Sequence, residues 1–214
     1  MQGILSFKPL TGWETAEDRR KFVMKGKLKV CILTVCLSFL SLAATAQEVV
    51  HALTGSVVSS NASAKTIQVY TDNHSENLFK DMTNPNTPID FDKNIRTIAT
   101  SADTFNSKGA YVIVFYYGGG DERTAVALRG LGPGPFSKDT GTVVKVAGRN
   151  SISVADGSGS IKTFKLTPNT VAETDYGAVI GSKYQPHQAD KIRVTASVLN
   201  GNAVAMFINT LVAN

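Results

Sequence analysis

The chain has 214 residues and carries 22 Lys and Arg against 17 Asp and Glu, a formal net charge of +5. Residues 1–47 hold 7 of the basic and 3 of the acidic side chains, which leaves 15 and 14, or +1, for residues 48–214. This balance argues against a nucleic-acid-binding domain, because such domains usually have a pI above about 9. Both cysteines, Cys31 and Cys36, lie before Gln47, which excludes disulfides and cysteine metal sites from the rest of the chain.

The segment from Met24 to Ala46 has the pattern of a secretory signal peptide. Three lysines are followed by an apolar stretch over residues 30–42 and by the small-residue site Ala44-Thr45-Ala46. The pattern predicts cleavage between Ala46 and Gln47 and a periplasmic or secreted protein. The apolar stretch is shorter than the roughly 20 residues that span a bilayer, and no later stretch qualifies, so no membrane span is expected in the mature chain.

Two further features of the N-terminal part bear on where the mature protein begins. A lipid-anchored Cys36 is the alternative to cleavage at Ala46, but Val35 precedes it and an apolar tail would remain on the mature protein. Residues 1–23 precede the signal pattern, although a signal peptide normally starts at the first Met. We therefore interpret them as a non-native upstream extension, with translation beginning at Met24.

The rest of the chain repeats itself. Five short stretches recur in the same order, at an offset that drifts from 86 to 78 residues. Small changes in loop length produce such a drift, so the series predicts an internal duplication. The first copy covers residues 47–130 with a polar insertion at 72–104, a Gly/Pro linker covers 131–140, and the second copy covers 141–214. The recurring stretches are GSVV and GTVV, TIQV and SISV, NPNT and TPNT, YVIV and KIRV, and AVAL and AVAM.

Each copy has the alternating pattern of short β-strands. In the second copy, strands are predicted near 141–147, 150–156, 161–167, 190–198 and 202–209. Asn200-Gly201 predicts a tight hairpin between the last two. A longer connection at 168–189 has no helical period, and the first copy follows the same plan with a less distinct third strand. Five strands with a long link between the third and fourth predict an all-β protein of two tandem OB-like barrels.

The second copy resembles a family of exported bacterial domains of unknown function. The resemblance rests on "GTVVKVAGRNSISVADGSGSIKTFKLTPNT" and "ADKIRVTASVLNGNAVAMFI". Ala189 replaces the glycine that the family has before its aspartate, here Asp190, and the first copy matches less closely, with Ala110 where the family has Asp. The resemblance implies an OB-like barrel and supplies no catalytic residues.

No motif in the sequence indicates a reactive centre. His51, His74 and His187 do not fall at metal-ligand spacing, and "GGGDE" at 118–122 reads as a hairpin. Asp90 and Asp92 are paired in "IDFD", but the remaining ligands of a calcium loop are missing. We therefore predict no metal, no cofactor and no catalytic residue.

The fourth strand of the first copy carries an aromatic stripe. If residues 112, 114 and 116 point into the barrel, residues 111, 113, 115 and 117 point outward. The same alternation in the second copy places 192, 194, 196 and 198 inside and leaves Lys191, Arg193, Thr195 and Ser197 facing water. An apolar stripe of this size usually has a partner. It either packs on the other domain or under residues 72–104, or it contacts a ligand or another protein. The candidate residues are Tyr111, Ile113, Phe115 and Tyr117.

The sequence therefore predicts a non-enzymatic exported module that binds a ligand or serves a structural role. The alternatives are a binder of oligosaccharide or single-stranded nucleic acid through a barrel face and, more weakly, a hydrolase that uses loop carboxylates. The partner is left open between a protein and a polysaccharide. Nucleic acid is disfavoured by the charge balance of residues 48–214.

Overall fold

A computed structural model describes residues 47–81, 87–102, 105 and 107–211. The predicted signal peptide at 24–46 and the segment before it lie outside these residues. Described elements of the first half are β1 (Glu48–Val49), β2 (His51–Asn61), β3 (Thr66–Thr71), β4 (Glu76–Asp81), β5 (Ile89–Asp90), α1 (Lys93–Arg96), β6 (Thr100–Ser101), β7 (Tyr111–Tyr117) and β8 (Thr124–Gly130). Those of the second half are β9 (Ser137–Ala147), β10 (Ser151–Ala155), β11 (Ile161–Lys165), β12 (Val171–Thr174), β13 (Gly177–Ile180), β14 (Lys191–Leu199) and β15 (Asn202–Thr210).

The second half forms a closed five-stranded barrel, which we call the second barrel. Its strands lie in the order β11-β10-β9-β14-β15, and a parallel contact between Lys165 and Val204 joins the last strand back to the first. Closure leaves no exposed edge among these five strands. A closed five-stranded barrel, as expected for the second copy, is therefore observed.

The first half has the same strand order. Its sheet runs β4-β3-β2-β7-β8-β6, and a parallel contact pairs Lys80 with Thr124 and Asp81 with Ala125. We call β2, β3, β4, β7 and β8 the first barrel. The third strand of this copy, for which the sequence pattern was the least distinct, is β4.

Each barrel has an interior cluster of its own, built by alternation along the strands. Val112 and Val114 of β7 enter the first interior, and Ile192 and Val194 of β14 enter the second. Interdigitated apolar side chains at native packing density supply most of the stability of a domain without disulfides. Fully buried members are Ile67, Val69, Phe79, Val112, Val114, Ala125 and Leu128 in the first barrel, and Ile152, Phe164, Ala172, Ile192, Val194, Ala205 and Ile208 in the second.

Two glycines at matching places of the repeat allow strands to cross closely. A Cβ on Gly55 would collide with the carbonyl oxygen of Tyr70, and one on Gly141 would collide with that of Ala155. The obstacle is backbone in both cases, so it cannot rotate away. The recurrence of glycine in GSVV and GTVV therefore has a steric cause in each barrel.

The predicted strands of the second copy agree with β9, β10, β11, β14 and β15, but one hairpin was not predicted and the predicted orientation of two residues is wrong. The 168–189 connection contains the hairpin of β12 and β13, and β12 adds to the barrel edge beside β15. Val198, predicted to point inward, is 73% exposed. The reason is that β9 begins at Ser137, opposite Ala196, so β14 continues past the barrel wall.

Thr195 is the second residue whose predicted orientation is wrong. It was predicted to face water, but it is buried. Its face of β14 lies against the first barrel, where Thr195 shares a small polar cavity with Thr54 and Asp72. Among the residues described, no helix is long and apolar enough to cross a membrane.

Candidate functional site

The predicted aromatic stripe lies between the two barrels. Ile113 and Phe115 are fully buried, and Tyr111 and Tyr117 are partly buried beside them. All four point away from the interior of the first barrel, as the alternation along β7 predicted. They belong to one apolar cluster, which we call the joint. Its buried members are Val50, Ala52, Phe91, Ile95, Ile113, Phe115, Val126, Ala127, Leu131, Val171, Ile180 and Phe207.

The joint has contributions from both barrels and from the segment that contains α1. Phe91 and Ile95 come from that segment, Val171 and Ile180 come from the β12–β13 hairpin, and Phe207 comes from β15 of the second barrel. Burial of a large apolar side chain contributes about 1.5–3 kcal/mol. The joint therefore holds the barrels together by the same effect that forms their interiors, and it removes Ile113 and Phe115 from contact with solvent.

A partly buried glutamate connects the β12–β13 hairpin to the first barrel. One carboxylate oxygen of Glu173 lies 2.6 Å from Nδ1 of His51, and the other accepts the backbone N–H of Ala52 at 2.6 Å. Burial raises the pKa of Glu173 above its ordinary value, against the opposing effect of these hydrogen bonds and of His51. Both oxygens are thus engaged in holding β12 against β2.

A second polar link centres on Asp72, whose side chain is largely buried. One carboxylate oxygen accepts from Thr54 and from the hydroxyl of Tyr111, each at 2.6 Å. The other accepts from Lys138 of the second barrel at 2.7 Å. Burial raises the pKa of Tyr111, and the hydrogen bond to Asp72 and its charge raise it further. Arg193 of β14, which was predicted to face water, donates a hydrogen bond to Asn73 at 2.6 Å and so also links the two barrels.

An open cleft of about 600 Å³ adjoins the joint on the side of the first barrel. Its apolar surface comes from Phe91, Ile89, Val126 and Ala127, which also belong to the joint or pack on it. Gln47, Thr87 and Ser101 add polar groups to its lining. Ligand cavities commonly have volumes of about 300–1,000 Å³, an apolar lining and a few polar groups, and this cleft fits that description.

Arg96 provides the charge of the cleft. Its guanidinium lies over the ring of Phe91, 5.4 Å from the centroid, and the same ring packs on Phe115 with a centroid distance of 5.4 Å. A cation over an aromatic face is attracted by about 0.5–1 kcal/mol at an exposed site. Within the described part of the chain, Arg96 has no carboxylate partner.

The backbone that carries Arg96 is fixed at both ends of α1. Asp92 caps the helix by accepting the N–H of Asn94 at 2.8 Å, and Ile95 anchors it in the joint. Asp92 also pairs with Lys183, from the connection between β13 and β14, at 2.6 Å. Burial alone would raise the pKa of Asp92, but the bonds from Lys183 and Asn94 lower it below its ordinary value.

A second cleft and one outward face are the other surfaces of note. The second cleft, about 670 Å³, lies along the linker and is lined by Gly130, Gly132 and Phe136 among others. The outward face of β3 and β4, which we call the β3–β4 face, carries Gln68, Tyr70, Glu76 and Leu78 in adjacent pairs. Tyr70 is 44% exposed and its ring meets His74 edge-on at 6.3 Å.

The remaining residues considered from the sequence are scattered. His74 lies on the surface near Tyr70, and His187 lies in the loop before β14, where its backbone N–H bonds Asp190 at 2.7 Å. Asp90 lies in β5, two residues before the capping Asp92. In the part of the chain that the structure covers, no group of three or more His, Cys, Asp or Glu side chains is placed to hold a metal ion.

Sequence reasoning missed Arg96, Phe91 and Glu173. The sequence carried a local signal for the short helix that holds Arg96, because Asp92 followed by Asn94 and Ile95 is a capped turn, but it carried none for the surroundings of the guanidinium. Nothing local marks Glu173, since its partners His51 and Ala52 lie 122 and 121 residues away.

Fold and site together define an all-β protein with a closed five-stranded barrel, a buried joint and an adjoining cleft with one cation. No protein-family model matches the chain, and no curated protein matches it.

Proposed function

We propose that the protein is an exported, non-enzymatic binding module that holds a small ligand in the cleft beside Arg96. The observation that carries the proposal is the cleft itself, with an apolar floor shared with the joint and a cation at its edge. The side chains of this floor are already packed in the joint, so they lose little conformational freedom when a ligand binds. Preorganisation of this kind favours affinity.

The roles of the other charged groups support a binding function over hydrolysis. Glu173 and Asp72 are largely buried carboxylates between the barrels, and their oxygens are occupied by His51, Ala52, Thr54, Tyr111 and Lys138. Carboxylates held in this way fix structure, whereas a general acid or base must reach a substrate proton.

Export and duplication are parts of the same proposal. The signal pattern at 24–46 supports a periplasmic or secreted location, with cleavage near Ala46. The shared strand order and the matching Gly55 and Gly141 support two barrels that descend from one unit of the exported bacterial family described above.

A thermal-shift screen of protein purified from cells expressing the full chain tests the binding function. A ligand present at about ten times its Kd adds about 1.4 kcal/mol to the free energy of unfolding. For a protein of this size, that raises the melting temperature by about 3–5 °C. We expect such shifts from small organic compounds at millimolar concentration. A screen of broad chemical diversity without a single saturable shift would contradict the proposal.

The second candidate function is oligosaccharide binding on the β3–β4 face. The exposed ring of Tyr70, supported by His74, is the observation that favours it, because this is the face OB-folds use for oligomeric ligands. Gln68 and Glu76, joined at 2.8 Å, give the face no basic character. Soluble oligosaccharides in the screen, repeated with Tyr70→Ala, separate this function from the cleft. A single-stranded oligonucleotide at two salt concentrations covers the nucleic-acid alternative.

A further inference from the structure

We infer that the cleft takes an organic anion, with a carboxylate or sulfonate on Arg96 and a flat apolar body on the floor formed by Phe91, Ile89, Val126 and Ala127. The inference rests on the proposed binding function and adds the chemical class of the ligand. It follows from the charge, the shape and the support of the cleft.

The charge of the cleft is of one sign. Of the ten described residues that line it, Arg96 alone carries a formal charge. Its planar fork of N–H donors matches the two oxygens of a carboxylate. Glu48 and Asp90 lie on the neighbouring ribbon of β1 and β5 but do not line the cleft. An anion therefore meets an attractive group without a facing carboxylate in the lining.

The floor suits an apolar body. Phe91, Val126 and Ala127 are at most 8% exposed, because they are packed from behind by the joint. The part of these side chains that remains accessible to solvent forms the floor of the cleft. A ligand that covers this floor would remove further apolar surface from water. Little conformational entropy would be lost, because the joint already fixes these side chains.

Arg96 is also held at a fixed place relative to that floor. The ring of Phe91 lies beneath its guanidinium, Ile95 anchors α1, and Lys183 holds the capping Asp92. The cation and the apolar floor thus form a single preformed unit. A ligand with only an anionic group or only an apolar body would contact one of these two parts and not the other.

Two fluorescent dyes that differ in charge test the inference. 8-Anilino-1-naphthalenesulfonate has an apolar body and a sulfonate, and N-phenyl-1-naphthylamine has the same aromatic body without the charge. Both are titrated into protein purified from cells expressing the full chain. We expect saturable binding of both dyes at one site. Arg96→Gln should weaken the anionic dye about tenfold and leave the neutral dye unchanged, because a charge-assisted pair is lost and the floor remains.

Two control variants locate the site. Arg149→Gln removes an exposed arginine from the turn between β9 and β10 and should change neither titration. Ala99→Phe places a large ring in the lining of the cleft and should abolish binding of both dyes. Circular dichroism melts of each variant check that the fold is kept, since partly unfolded protein also binds such dyes.

Three outcomes would overturn the inference. Equal affinity of wild type and Arg96→Gln for the anionic dye would remove the role of the cation. Unchanged binding in Ala99→Phe would place the dyes elsewhere. Failure of wild type to bind either dye would exclude the ligand class; if the thermal-shift screen still yields ligands, the binding function stands, and if it yields none, both proposals fall.

Discussion

Replacing Phe115 with alanine is expected to lower the free energy of unfolding by about 3–5 kcal/mol. Phe115 is fully buried, packs on Phe91 at 5.4 Å, and belongs to the cluster that includes Phe207 of the second barrel. Truncation would leave a cavity where three parts of the chain meet. Urea denaturation followed by circular dichroism measures the loss.

Tyr70→Ala is the matched control for Phe115→Ala. It also truncates an aromatic side chain on a strand of the first barrel, but Tyr70 is 44% exposed on the β3–β4 face. We expect a loss of about 1 kcal/mol or less, as for most surface substitutions. Equal losses in the two variants would mean that Phe115 is not part of a buried joint.

Gly141→Ala is expected to cost about 3 kcal/mol, although the added group is a single methyl. The new Cβ would collide with the carbonyl oxygen of Ala155 and lie 2.8 Å from its carbonyl carbon. Since these atoms belong to the backbone of β10, the strands must separate to make room. The same denaturation experiment measures the effect, and Gly55→Ala should act in the same direction in the first barrel.

Gly157→Ala is the control for Gly141→Ala within the second barrel. Gly157 lies in the turn between β10 and β11, and a Cβ there would meet no atom within 4 Å. The change should stay within about 0.5 kcal/mol of wild type, because surface substitutions usually do. A small effect at Gly141 would contradict the close crossing of β9 and β10.

The elements that the sequence predicted are those with local signals. Alternation of apolar and polar residues along β14 and β15, with Asn200-Gly201 between them, is sufficient to place that hairpin. The outward direction of Ile113 and Phe115 followed from the same alternation. Period two along a strand identifies the two faces of the strand without any knowledge of the rest of the fold.

What covers an outward face is not a local property. The sequence left open whether the stripe packs on the other domain or binds a partner, and the answer depends on Val171, Ile180 and Phe207, which come 58 or more positions after Ile113. Thr195 was misplaced for the same reason, because its polar side chain predicts exposure while the first barrel covers it.

The cleft was harder to predict than the joint. Seven of its ten described lining residues come from the polar and irregular segment 72–104, where Arg96 resembles any solvated arginine. Only the ring of Phe91 beneath the guanidinium and the apolar floor beside it give Arg96 a distinct environment. Such an environment is formed by tertiary packing and has no counterpart in residue spacing.

The central claim is that the joint makes the two barrels one unit that can present a preformed cleft. Differential scanning calorimetry of protein purified from cells expressing the full chain tests it most directly. We expect one unfolding transition, with a ratio of calorimetric to van't Hoff enthalpy near one, because neither barrel can unfold without exposing the joint. Two separable transitions, or a ratio near two, would show that the barrels unfold independently and would contradict the account.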